Sequence, residues 1–334
     1  MVIIQSYSMA VLMCFVTMLC WGSWANTQKL ASREWKFQLF YWDYSIGVLL
    51  LSLIMAFTMG SYGSFGRGFI ADITQVTATA FLFAFLGGVV FNLANILLVA
   101  AIDIAGLAVA FPIGIGIALV EGVIINYILK PKGNPVLLFA GVLAIMVAVV
   151  IDALAYKKLP AKGQKTTGKG IVISVVAGVL MGLFYYLVQK GIVADFVNPE
   201  QGKLGPYAAV VVFSLGLFVS SFLWNSIVMA KPFVGEPVAL GDYFKKGNPR
   251  LHLIGILGGI IWSIGMSFNI VASGTAGPAI SYGLGQGATM IAAFWGVFIW
   301  KEFKSAPPGT NKQLALMFAF YTVGLVLLIT AKLV

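Results

Sequence analysis

The sequence predicts an all-α, polytopic membrane protein of ten transmembrane helices, arranged as a five-plus-five inverted-topology repeat. Of its 334 residues 60% are hydrophobic and 10% are charged, against about 25% charged in an ordinary soluble domain. Its mean hydropathy of +0.98 implies more apolar surface than a soluble fold of this size could hide. The apolar residues fall into ten runs, each close to the roughly 20 residues that cross a bilayer as a helix. Runs this long favour helices over buried strands, and the alternating segments of roughly ten residues that build a membrane barrel are missing.

In chain order the runs cover 7–27, 38–58, 79–101, 104–129, 135–155, 171–190, 207–230, 252–271, 276–300 and 313–333. The first carries Cys14 and Cys20, read as two free thiols because one straight helix cannot easily bridge them, followed by Trp21, Trp24 and Asn26. The second holds Asp43 near its start. The third carries Asn92 and Asn95, on one helical face. The fourth contains Phe111-Pro112-Ile113-Gly114-Ile115-Gly116, weak helix formers with a proline that removes a backbone hydrogen bond. Beyond them lies Glu121, the acidic residue most deeply placed in a span and a candidate proton carrier, since burial favours a neutral carboxyl. The fifth ends near Asp152. The sixth brings Gly178 and Gly182, and the eighth Gly255 and Gly259, spaced as in close helix crossings. The seventh and tenth qualify on length and apolarity alone. The eighth also supplies Trp262 and Asn269. The ninth reads Tyr282-Gly283-Leu284-Gly285-Gln286-Gly287, a second weak stretch matching that of the fourth. Asp43, Asp103 and Asp152 are expected to be solvated groups at helix ends, and His252, beside Arg250, a surface residue.

The net charge is +10, but the basic residues lie between the apolar runs, where they set topology rather than bind nucleic acid. Fifteen of the 21 Lys and Arg residues fall in or beside the 28–37, 156–170, 231–251 and 301–312 connections. The positive-inside rule places those loops in the cytoplasm and both termini outside. Met1 to Ala10 carries no Lys or Arg, so the positive n-region of a signal peptide is missing. Gly163 to Gly170 reads G-x-x-x-x-G-K but continues with Gly170 where a phosphate loop needs Ser or Thr for Mg²⁺. No strand precedes it, so it is read as part of a short basic linker, 157–170.

That linker joins two similar halves, 1–156 and 171–334. An offset of 171 lays Gly87-Gly88 on Gly258-Gly259, Ala105-Gly106 on Ala276-Gly277, Gly114 on Gly285, Gly116 on Gly287 and Lys130 on Lys301; an offset of 161 lays Gln28-Lys29 on Gln189-Lys190. Five spans per copy is odd, so the second copy enters the membrane from the opposite face, as in many secondary transporters. Matching helix breaks at Pro112, Gly114, Gly116 and Gly283, Gly285, Gly287 point to a binding site near mid-membrane. Intramembrane polar groups tend to face the bundle interior. Trp21, Trp24, Asn26, Asn92, Asn95, Trp262, Tyr282 and Gln286 are therefore the candidate solute-binding residues. Amides flanked by aromatic rings suit a small, flat, hydrogen-bonding solute. Interhelical hydrogen bonding and an interfacial aromatic belt are the competing explanations for the same residues.

The residues Cys20-Trp21-Gly22-Ser23-Trp24-Ala25-Asn26-Thr27-Gln28-Lys29 resemble the opening motif of the ureide permease family, within the drug/metabolite transporter superfamily. The resemblance implies a ten-helix inverted-repeat bundle. Plant members import allantoin, uracil and related oxo-heterocycles, coupled to protons. They carry a long central loop, whereas the short loop here resembles a bacterial member. Rhamnose and glucose porters are related branches. The expected function is thus proton-coupled import of a ureide or nucleobase by alternating access, with a monosaccharide symporter or a drug/metabolite exporter as alternatives. The expected partners are a small-molecule solute, H⁺ and the lipid bilayer. No metal, cofactor or nucleic acid is expected; one His and two Cys on one helix are a poor toolkit for intramembrane enzymology. Oligomeric state stays open.

Overall fold

In lipid, a long apolar run can satisfy its backbone polar groups only within itself, so it must be helical. The computed structural model, which describes residues 1–31, 34–159 and 168–334, has ten such helices. They are α1 Tyr7–Ala31, α2 Phe37–Phe57, α3 Ala78–Ala105, α4 Leu107–Leu129, α5 Pro135–Tyr156, α6 Gly168–Gly191, α7 Pro206–Ala230, α8 Pro249–Ala276, α9 Pro278–Ile299 and α10 Thr310–Thr330. Two short helices, Phe69–Gln75 and Gly241–Lys246, lie in connections. Among the described residues there is no β-strand, only one isolated bridge between Ile192 and Leu204. Arg33 and most of the Gly163–Gly170 stretch lie outside the described residues.

Local chemistry sets the helix ends. Asn134 accepts hydrogen bonds from the Val136 and Leu137 N–H groups, with Pro135 opening α5, and Asn248 with Pro249 starts α8 similarly; such caps satisfy orphan donors of the first turn. α3 and α8 both stop at a glycine with positive φ, Gly106 at 81° and Gly277 at 91°, a conformation that side chains resist. The next helix begins directly after each.

Glycines then set how closely helices cross. A Cβ on Gly47 of α2 would lie 2.1 Å from the Ile256 carbonyl oxygen, and one on Gly259 of α8 would lie 2.0 Å from that of Tyr44. α3 and α7 cross in the same manner, with 2.1 Å from Gly216 to the Phe85 oxygen and 1.9 Å from Gly88 to the Phe213 oxygen. An offset of 169 lays Tyr44 on Phe213 and Gly47 on Gly216; an offset of 171 lays Phe85 on Ile256 and Gly88 on Gly259. α5 and α10 meet where Gly141 and Gly324 each face the other's carbonyl. These paired contacts fit a five-plus-five repeat.

Both chain ends lie on one face. The Tyr7 hydroxyl donates to the Ile329 carbonyl at 2.6 Å, the terminal amine of Met1 to Phe65 at 2.7 Å, and Thr275 to Ile4 at 2.5 Å. The ends of α1, α5, α7 and α9, which lead into the basic connections, lie on the opposite face. Residues such as Leu12, Leu143 and Phe222 stay exposed on the outside, as expected of side chains that meet lipid.

Three expectations need correction. Helix Leu107–Leu129 runs unbroken through Pro112, Gly114 and Gly116. Pro112 stands in its second turn, so the missing N–H removes a single bond close to an end that lacks partners anyway. The break expected in the ninth span is present, at Gly287, where Pro278–Gln286 gives way to Ala288–Phe294 and a π-helical turn, Trp295–Ile299. Gly283 and Gly285 lie inside the first of these helices. An unforeseen interruption divides α1 at Trp24. Asp43 and Asp152 are 1% and 7% exposed, buried among neighbouring helices rather than solvated at helix ends. His252 is no bystander on the surface: its Nδ1 lies 3.0 Å from Asp43 Oδ1, since α8 crosses α2 closely enough to bring the two side chains together.

Candidate functional site

Between the two halves lies a cavity of about 390 Å³. α1 contributes Trp21, Trp24 and Gln28; α3 contributes Phe91, Asn95 and Asp103; α4 contributes Phe111 and Ile115; α6 contributes Met181 and Phe184; α8 contributes Trp262; and α9 contributes Gln286 and Thr289. Gln28 and Asp103 stand near the helix ends on the basic-loop face, so the cavity leads that way. A second cavity of about 210 Å³ shares Val99 and Asp103 with it and is bordered by Lys36, Gln38 and the segment Pro232–Glu236. The two share part of their wall near the basic-loop face.

The walls are stacked rings. Trp21 and Trp262 lie 5.9 Å apart and only 14° from parallel, and the Trp21 indole N–H donates to the Trp262 carbonyl at 3.3 Å. Gly265 and Gly285 leave room for Trp21, since a Cβ at either would lie within 2.9 Å of its ring. Phe91 approaches Trp262 to 4.5 Å between centroids, and Trp24 rests on Tyr44 at 4.9 Å. Polar groups are few and placed. The Asn95 amide donates to the Tyr41 hydroxyl at 3.2 Å, which orients it at the wall. Gln286 precedes the break at Gly287, and Thr289 just past the break donates to the Gln286 carbonyl at 2.9 Å. A mostly aromatic cavity with a few oriented amides is the usual form of a small-molecule site.

Of the candidate residues, Trp21, Trp24, Asn95, Trp262 and Gln286 line this cavity. Asn26, Asn92 and Tyr282 do not. Asn26 accepts from the Trp300 indole at 2.6 Å, tying the divided α1 to the end of α9. Asn92 donates to Ser220 at 2.8 Å and Ser221 at 3.2 Å, joining α3 to α7. Tyr282 donates to the Ala118 and Met181 carbonyls, both at 3.1 Å. Glu121 also lies off the cavity, against Gly182 of α6, where a Cβ would come 3.1 Å from its carboxylate. Sequence reasoning passed over Gln28, Phe91, Phe111, Phe184 and Asp103. Two signals could have found some of them: Gln28 sits in the first-helix motif, and Phe91 falls on Trp262 at the repeat offset of 171.

A separate polar cluster lies behind the cavity wall. The buried Asp43 carboxylate accepts from Tyr243 at 2.5 Å and from Trp35 at 3.3 Å, besides its contact with His252. Burial and the neighbouring Asp43 charge raise the Tyr243 phenol above its ordinary value. On the face bearing the termini, burial pulls Lys130 down to about 8, and the nearby Lys203 adds to this. Among the described residues, no group of three or more His, Cys, Asp or Glu is placed to hold a metal ion.

Comparison with known proteins agrees with this architecture. The family model described as ureide permease matches residues 40–167 and 161–331. Ureide permease 2 of Arabidopsis thaliana is 25% identical over 98% of each chain, and ureide permease 5 of the same plant is 24% identical over 98% of this chain and 95% of its own. The glucose uptake protein GlcU of Bacillus subtilis (strain 168) is 24% identical over 86% of this chain and 84% of its own. A solved crystal structure, 16% identical, superimposes at a TM-score of 0.63 over 96% of both chains, which shows the fold.

Proposed function

The chain belongs to the ureide permease family, and from that premise we propose that it imports a flat, hydrogen-bonding oxo-heterocycle of the ureide or nucleobase class by proton-coupled alternating access. That it is a multi-pass membrane transporter of small metabolites follows from the family and the ten spans. The observation that carries the finer reading is the near-parallel stack of Trp21 on Trp262, with Phe91 against the same indole and the Asn95 and Gln286 amides beside them. Aromatic faces hold a planar ring by stacking, and amides select among rings by their donors and acceptors. The division into halves 1–156 and 171–334 supplies the two bodies that exchange conformations. The excess of Lys and Arg makes the open face the cytoplasmic one and leaves both termini outside. Proton coupling falls to a carboxyl, with Asp103 on the cavity wall and Glu121 off the cavity beside Gly182 as the candidates.

The glucose uptake relative supports a second reading, a monosaccharide symporter, because sugars also rest on tryptophan faces. A thermal-shift screen of purified protein against uracil, allantoin, glucose and rhamnose separates the two, since a binder raises apparent stability by mass action. We expect stabilisation by the heterocycles; a response confined to sugars overturns the preferred solute. Uptake that persists unchanged with a protonophore, or full coupling in both Glu121→Gln and Asp103→Asn, removes the proton.

A further inference from the structure

The walls of the open cavity have counterparts elsewhere in the chain. The offset of 161 carries Trp24 to Tyr185 and Gln28 to Gln189; the offset of 171 carries Leu98 to Asn269, Ile102 to Ser273 and Phe111 to Tyr282. All five first-named residues line the open cavity. Their five counterparts are 3% exposed or less, gathered on the side of the molecule that bears the termini.

There the helices are closed on one another by hydrogen bonds. The Gln189 amide of α6 donates to Ser273 of α8 at 2.9 Å. Tyr185 of α6 pairs with Ser281 of α9 at 3.2 Å, and Asn269 of α8 donates to the Ser281 carbonyl at 2.7 Å. The side-chain amide oxygen of Asn269, Oδ1, is fully buried and has no hydrogen-bond partner. Buried polar groups are seldom left so, and here the orphan is an acceptor in the middle of the cluster.

We propose that Tyr185, Gln189, Asn269, Ser273 and Ser281 form the closed second mouth of the solute path, a polar wall that opens on the face bearing the termini and binds the solute there. This rests on the transporter reading above. When the two halves exchange conformations, the α6–α8–α9 wall parts as the α1–α3–α4 wall now stands parted, and the interhelical donors and the Asn269 oxygen become available to a polar solute. Glu121 joins this mouth, because the offset of 171 places it on Ala292, a residue of the open cavity.

The two mouths differ in chemistry. Where the open one has Leu98 and Ile102, the closed one has Asn269 and Ser273. A hydrogen-bonding solute is therefore held more tightly on the terminus-bearing face and released more readily on the basic-loop face, which is a bias toward import.

Single Ser273→Cys and Ile102→Cys variants, each in a Cys14→Ala, Cys20→Ala background, are reconstituted into vesicles and treated with a membrane-impermeant cationic thiosulfonate. Ser273→Cys should react from the terminus-bearing face and Ile102→Cys from the basic-loop face. Failure of Ser273→Cys to react from its own face, while Ile102→Cys reacts, overturns the second mouth. This readout needs no solute, so it stands even if the heterocycle reading fails. A Gln189→Cys, Ser273→Cys pair, once oxidised, should lower radiolabelled uracil uptake more than about tenfold, since transport needs the mouth to open. Reduction should restore it. Undiminished uptake with the bridge complete refutes the assignment.

Discussion

The ring centroids of Phe91 and Trp262 lie 4.5 Å apart, and the sequence offset of 171 lays one residue on the other. Their flanks match too: Phe213 lies 5.6 Å from Phe91, and its counterpart Tyr44 lies 6.4 Å from Trp262. A contact between two residues matched by the repeat offset fits an axis that passes close by between the halves. The same contact borders the cavity, so residues from both parts of the chain line it.

Trp262→Ala is expected to weaken binding of a planar solute by about 1–3 kcal/mol, the worth of one stacked ring plus its buried area, while Trp262→Phe keeps most of the affinity. Quenching of intrinsic tryptophan fluorescence during titration with uracil reports the difference in the Phe variant, and calorimetry reports it in both.

Close crossings make their own prediction. Gly88→Ala forces a methyl group to within 1.9 Å of the Phe213 carbonyl oxygen, and overpacking of this kind costs about 1–3 kcal/mol or more. Gly116→Ala, where a Cβ meets nothing within 4 Å, should instead stabilise by up to about 1 kcal/mol through helix propensity. Thermal unfolding in detergent should move in opposite directions for the two.

Asp43 joins three side chains from separate segments, accepting from Trp35 and Tyr243 and lying against the His252 ring nitrogen. Asp43→Ala leaves Trp35, Tyr243 and His252 without their partner and should destabilise by about 1–3 kcal/mol. Tyr243→Phe in that background should then cost less than it does alone. Additive losses in the double-mutant cycle count against the cluster acting as a unit.

Lys130 links stability to pH. Its folded value of about 8 lies below the unfolded 10.5, so between those values the folded chain binds fewer protons than the unfolded one. Stability then rises with pH across that window, and the burden of burying the charged amine is felt in full below it. Lys130→Met should flatten this rise. An unchanged slope of melting temperature between about pH 8 and pH 10 refutes the assignment.

The ten spans were legible in the chain itself, because a bilayer demands about 20 apolar residues per crossing. The first-helix motif also carried the family. Five of the eight residues expected at the site line the cavity, Trp21, Trp24, Asn95, Trp262 and Gln286, because each combines an intramembrane position with a polar or aromatic side chain.

Only the tertiary structure decided which polar groups face the cavity and which join helices. Asn92 and Asn95 share a helical face by spacing, yet one bonds Ser220 of α7 and the other stands at the cavity wall. Helix crossings set by Gly47, Gly88, Gly216 and Gly259 fix that choice through backbone distances that no local pattern records. The same crossings bring Asp43 against His252, two residues 209 positions apart, and bury a carboxylate that reads in sequence as a solvated helix end. Sequence specifies what must be out of water; packing specifies what each buried group then touches.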